Sequence, residues 1–239
     1  MLRIIVCAIL ITLVAAPLWA DTVQLLPGRD ATLIEDPDGA VANGAGPFVF
    51  VGRTNQQSGS VRRALIFFDV ARALPAHAIV TRVSLRLYLA QSNPEPSTIA
   101  LHRVLADWGE GPSSSAGGLG APSEPGDATW LHTFYDQEFW AASGGQFAGR
   151  VSARQTADAA GFVTWASTTH LVHDVTLWLA SPSRNFGWIL IGDETARQTA
   201  KSFASRENSD ASLRPELSVT YRLPGDDPAE KRMVVVAGP

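Results

Sequence analysis

Between positions 79 and 90 hydrophobic side chains recur on every second residue. Ile79, Val83, Leu85, Leu87 and Leu89 share one side, and Arg82, Ser84, Arg86 and Tyr88 the other. A period of two is that of a β-strand with one buried face. Residues 64–68 and 188–191 are instead apolar throughout, which predicts central strands covered on both faces. Shorter runs at 22–26, 31–35, 48–52, 98–104, 162–165, 201–205 and 216–222 are separated by turn-forming residues, the chain holding 20 Gly and 15 Pro. So many one-faced strands bury their apolar sides only in two layers. The expected fold is therefore all-β, a two-sheet antiparallel β-sandwich of jelly-roll type with one short helix and long loops. The helix is expected around Leu171, Val175, Trp178 and Leu179, spaced by four, three and one, and Pro182 stops it. Residues 109–129 and 141–160 read as long irregular loops. Between them Trp130, Phe134, Tyr135, Phe139 and Trp140 form an aromatic cluster that has to pack somewhere.

The ends read differently. Residues 1–20 carry one charge, Arg3, then an apolar stretch over 4–16, Pro17 and a small Ala20 before Asp21, the pattern of a secretory signal peptide. Leu18 stands where a small residue is preferred, which leaves the cut itself open. The single cysteine, Cys7, lies in this leader, so no disulfide is expected after it. The roughly 220 residues that follow are enough for one large core. One domain is expected over 21–223, followed by a flexible tail over 224–239 that is too short to span a membrane.

Nineteen Lys and Arg stand against 23 Asp and Glu, a formal net charge of −4, and removal of Arg3 makes the remainder more acidic by one. Nucleic acid is not an expected partner. Only Lys201 and Lys231 are lysines, so nearly every cation is an arginine, suited to bidentate grip on carboxylates. A codon bias toward arginine explains the same inventory.

Signatures of catalysis are missing: there is no Gly-x-Ser-x-Gly elbow, no phosphate-cradling loop and no zinc-type cysteine pair. His170 and His173 beside Asp174 lack a third ligand and fit a surface or capping role. Asp107 with Glu110, and Glu207 with Asp210, are carboxylate pairs of the kind glycoside hydrolysis uses. His102 or Tyr88 with Arg86 is a conceivable lyase set. Binding has better material. Arg82, Arg86 and Tyr88 line the polar side of one strand, where next-but-one side chains stand about 7 Å apart. Arginine forks hold uronate carboxylates while a tyrosine ring stacks on a sugar face. Lys201 and Arg206 are candidates to extend that surface, with Glu207 or Glu216 as competing partners for Arg206. An ordinary solvated sheet face is the alternative. Trp108, Trp130 and Trp140, in or beside loops, are a second set of sugar platforms unless they are buried. Asp36, Asp38 and Asn43 in a tight loop offer oxygens to a structural calcium; the alternative is an Asp-Gly turn in which the side chains cap backbone amides. No other cofactor is expected.

Several segments, in order, resemble the DNRLRE-domain family, which includes the alginate-type carbohydrate-binding module family ninety-six. They are Asp30-Ala31-Thr32, Asn43-Gly44, Phe50-Val51-Gly52, Arg63 leading into Leu65-Ile66-Phe67-Phe68-Asp69, Leu74-Pro75, Ser84-Leu85-Arg86-Leu87, His102-Arg103-Val104, and Trp108 followed by Glu110. Further on come Gly126-Asp127-Ala128-Thr129-Trp130, residues 185–190, Phe203-Ala204-Ser205-Arg206-Glu207 and residues 214–221. The resemblance spans most of the chain after the leader and implies a β-sandwich with a binding role. Some relatives continue into a short anchor-sorting signal, which nothing after Leu223 resembles, so attachment through such a signal is not expected. The resulting expectation is an exported, non-catalytic module, secreted, periplasmic or on the cell surface, that holds an acidic polysaccharide. A structural or adhesive protein bound to cell-surface or matrix material is the first alternative, and a polysaccharide lyase the second.

Overall fold

The expected antiparallel strands are present, and they join into a sheet that folds over on itself. The computed structural model describes residues 20–92 and 95–225; the leader up to 19 and the tail from 226 lie outside the described residues. The strands are β1 (Asp21–Leu25), β2 (Arg29–Ile34), β3 (Val41–Asn43), β4 (Phe48–Arg53), β5 (Val61–Phe67), β6 (Ile79–Ser92), β7 (Ser97–Val104), β8 (Ala121–Pro122), β9 (His132–Phe134), β10 (Glu138–Phe139), β11 (Phe147–Ala157), β12 (Gly161–Trp165), β13 (Trp188–Ile191), β14 (Lys201–Ala204) and β15 (Glu216–Arg222). Among the described residues two α-helices join them, α1 (Val70–Ala73) and α2 (Thr169–Ala180).

The first layer runs β1-β15-β6-β14-β4, with β12 on the other edge of β6. Leu85 faces Leu217 of β15 and Trp165 of β12, whereas Leu89 faces Gly161 of β12 and Phe203 of β14, so β15 and β14 follow one another along a single edge of β6. The second layer runs β4-β5-β13-β7-β11, and β2, β3 and β8 extend it from β5. Strand β4 pairs with β14 in one layer and with β5 in the other, which makes it the fold line of the sandwich. Strand β1 pairs with β15, placing Asp21 beside Tyr221. Strands β9 and β10 form a separate small hairpin.

Alternation decides which side chains fill the sandwich. Val83, Leu85, Leu87 and Leu89 of β6 meet Ala64, Ile66, Trp188 and Leu190 of the second layer in the main core. The intervening residues of that layer, Leu65 and Ile189, point the other way and join Ala31, Leu33, Val104, Trp108, Ala128 and Trp140 in a smaller second core. This is why 64–68 and 188–191 read as apolar throughout: each of their faces has a core of its own. Helix α2 starts at Thr168, whose hydroxyl accepts the Leu171 amide at 3.0 Å, lays Leu171, Val175 and Trp178 on the main core, and ends before Pro182. A cap of this kind contributes about 1 kcal/mol.

Two expectations are corrected. Residues 141–160 do not form a loop; β11 crosses them as the strand outermost on the second layer, paired to β7. Only Ser152, Ala153 and Ala157 of β11 are buried, and Arg150 and Arg154 face water, so the hydrophobic signal of a strand is weak there. Ile79 does not share the side of Val83. The register jumps from Arg82↔Thr220 to Val80↔Tyr221, the extra Thr81 forms a bulge, and Val80 turns inward in place of Ile79.

Candidate functional site

The outer face of the first layer is open. On β6, Arg82 is exposed and Arg86 and Tyr88 are half-buried, all pointing away from the main core as the alternation requires. Tertiary register supplies the rest. Phe162 of β12 stands opposite Tyr88, and Glu216 of β15 stands opposite Arg86. Phe162 leaves 48% of its surface exposed, which is unusual for an aromatic ring on a sheet. Its ring meets Tyr88 edge-to-face with centroids 5.2 Å apart, and the Arg86 guanidinium lies 4.4 Å above the Phe162 centroid. Arg86 Nη2 reaches Glu216 Oε2 at 3.5 Å, and Nε is sealed from water without a hydrogen-bond partner. The guanidinium thus sits between a ring and a carboxylate while 42% of the side chain stays accessible. A cation over a ring at this distance contributes about 0.5–1 kcal/mol at an exposed site and fixes the fork's orientation.

Toward the end of β6 the same face sinks into an open hollow of about 660 Å³ lined by Gln91, Ser202, Phe50 and Gly118 and by the turn at 158–160. Gln91 pairs with Ser202, and Ser202 with Phe50. Val49, Val51 and Phe203, with the opposite orientation, belong to the main core, so Phe50 and Ser202 form the outward floor of the hollow.

Lys201 does not extend this surface. It shares the orientation of Phe203, and its side chain runs inward, where Nζ donates to Ser92 Oγ at 2.7 Å and to the Glu95 carbonyl at 2.6 Å. Burial lowers the ammonium below its ordinary value. Arg206 is also elsewhere: Nη1 donates to Glu207 Oε1 at 2.5 Å and to Glu110 Oε2 at 2.8 Å, which selects Glu207 over Glu216 as its neighbour in an ion pair. The loop tryptophans are packing residues. Trp108 and Trp140 are buried in the second core, their indole N–H groups donating to the carbonyls of Phe186 and Thr129, both at 2.9 Å. Trp130 is half-buried beneath Arg63, 4.9 Å from the ring centroid.

The proposed calcium loop is a turn. Asp36 Oδ1 accepts the amides of Asp38 and Ala40 at 3.1 and 2.8 Å. Asn43 faces the interior, bonded to the Phe48 carbonyl and the Ser115 amide. Asp107 pairs with Arg29 and Asp210 caps the turn at 211–213, so neither faces its expected carboxylate partner. His102 belongs to the second layer, hydrogen-bonded to the Ala148 carbonyl, away from Arg86 and Tyr88. His170 bonds the Val151 carbonyl and His173 is exposed.

A different acidic group does assemble. Asp30 on β2, Glu110 just past the anchored Trp108, and Glu207 after β14 each bring a carboxylate oxygen within 4.8 Å of the others. A Cβ at Gly44 would stand 1.7 Å from the Glu110 carbonyl oxygen, so only glycine permits this approach. Asp30 Oδ2 accepts the Arg206 amide at 2.8 Å, and Glu110 Oε1 accepts the Asp30 amide at 2.8 Å. Burial, and next the Glu207 charge, hold the Asp30 carboxyl well above the usual range; burial is also the main cause that raises Glu110 and Glu207.

Comparison with protein-family models and with curated proteins finds no match to this chain. Among the described residues no helix is long and apolar enough to cross a membrane.

Proposed function

We propose that this chain is an exported, non-catalytic carbohydrate-binding domain of DNRLRE type that holds an acidic polysaccharide along the open face of its first layer. The observation that carries the reading is the Arg86 guanidinium lying over the exposed Phe162 ring, with Tyr88 edge-on beside it. Arginine is less strongly hydrated than lysine and presents paired N–H groups that match a carboxylate, while an aromatic face matches the apolar side of a pyranose ring. Both elements stand on neighbouring strands of a rigid sheet, so little ordering is required on binding. The hollow over Phe50 continues this surface and gives a chain-like ligand room to lie along β6. Glu216 sets the selectivity: it occupies one edge of the fork, and a ligand carboxylate approaches the other.

Affinity electrophoresis through gels containing alginate, pectin, xylan or chitin tests this. Retardation by the uronate-bearing gels, abolished in Arg86→Ala and in Phe162→Ala, is the expected result. Equal mobility of both variants and the parent protein in every gel would falsify the site. Release of unsaturated sugars by the purified protein would replace binding with a lyase function.

A further inference from the structure

We infer that Asp30, Glu110 and Glu207 form a binding site for one hard divalent cation of the calcium class, which ties together β2, the segment after β7 and the turn after β14. One oxygen of each carboxylate lies within 4.8 Å of the others. Ligand oxygens on opposite sides of a calcium ion stand about 4.6–5.2 Å apart, so a single ion can touch all three. The donors are all carboxylate oxygens, with no imidazole or thiolate, which selects hard cations over zinc or copper.

A second observation, separate from the clustering, points to a missing positive charge. Asp30 is fully buried, and its Oδ1 receives no hydrogen bond; Glu207 Oε2 is also sealed from solvent without a donor. A buried carboxylate oxygen with no partner is costly, and native structures rarely leave one. Arg206 does not meet the need, because its Nη1 is directed at Glu110 Oε2 and Glu207 Oε1 and its backbone amide at Asp30 Oδ2. With all three carboxylates ionised, one guanidinium leaves two negative charges, the charge of one divalent ion. Burial is the first cause that raises all three carboxyls, and neighbouring carboxylate charges add to it at Asp30 and Glu110. None of the three carboxylates bonds Arg86, Tyr88 or Phe162, whose contacts are with one another and with Glu216, so loss of calcium binding and loss of glycan retention are separate readouts.

The test is calcium titration of the full chain after removal of metals with a chelator, followed by calorimetry and by Tm. One equivalent of calcium should bind, and Tm should climb with the logarithm of calcium concentration, magnesium acting more weakly. Glu207→Gln keeps the Arg206 to Glu110 pair and should lower calcium affinity by about tenfold or more, and Asp36→Asn should leave it unchanged. No heat and no change in Tm up to millimolar calcium in the parent protein would overturn the assignment. So would calcium binding that survives Glu207→Gln and disappears in Asp36→Asn. If Asp30→Asn fails to fold, the parent protein and the half-buried Glu207 position still decide the matter.

Discussion

The two layers have outer faces of opposite character. Behind β5 and β13 the second layer is roofed by the segment from 105 to 146, which lowers Trp108 and Trp140 onto Leu33, Leu65 and Ile189. Behind β6 no such roof covers the first layer among the described residues, and Arg82, Arg86, Tyr88 and Phe162 meet solvent. Aromatic residues occur on both faces, so composition does not separate them. The difference lies in the strand beneath. Leu65 and Ile189 continue the apolar pattern to the outward side of their strands, which must then be covered, whereas the outward positions of β6 are polar and stable in water. Aromatic rings over an apolar face make a core; over a polar face they are available to a ligand.

Four substitutions would break or sharpen that contrast. The largest effect is expected from Trp108→Ala, which empties the second core and should cost about 3–5 kcal/mol of unfolding free energy by chemical denaturation. A cost below about 1 kcal/mol would mean that the roof is not a structural element. Next, Arg63→Ala removes the guanidinium that grips Glu194 through two N–H groups at 2.7 and 2.9 Å and holds the Gly144 carbonyl beneath the roof. That pair is mostly buried, and its loss should cost about 2–3 kcal/mol, read as a fall in the urea midpoint. On the open face, Phe162→Ala should cost about 1 kcal/mol or less in stability while abolishing retention on uronate gels; a stability loss as large as that of Trp108→Ala would class Phe162 with the core residues. Smallest of all, Glu216→Gln should shift stability by about 0–1 kcal/mol, because the pair with Arg86 is long and only partly buried. It should nonetheless tighten retention of acidic polysaccharide, and weaker retention would show that Glu216 positions the fork more than it competes for it.

Much of the sandwich was legible because alternation is a local signal. The strand at 79–90 showed its solvent side in advance, and so did the helix from Leu171 to Leu179 stopped by Pro182. What escaped has tertiary causes. Strand β11 is an edge strand with three small buried side chains, too little apolar surface to stand out from a loop. Phe162 was recognisable as a strand residue, but its place beside Tyr88 depends on β12 pairing with β6 across an intervening β7 and β11. Lys201 was read as extending the ligand surface from its place on a late strand resembling the family's. Its orientation alongside Phe203 would have placed it indoors, had the two faces of β14 been compared. Asp30, Glu110 and Arg206 come together over separations of 80 and 96 residues, beyond any local pattern. The one local hint was Trp108 followed two residues later by Glu110: burying such an indole fixes what comes next.

The ladder between β1 and β15 has a temporal implication. Thr22 and Thr220, whose hydroxyls touch at 2.9 Å, are 198 positions apart, and β1 has β15 as its only strand neighbour among the described residues. At translation rates of about 5–20 residues per second, β1 leaves the ribosome about 10–40 s before the segment that will hold it. Through that interval it is an unpaired strand, and its exposed Asp21, Thr22 and Gln24 make it a poor template for foreign chains. The earliest strand described is therefore one of the last to find its place, and its pairing waits until β15 has been made.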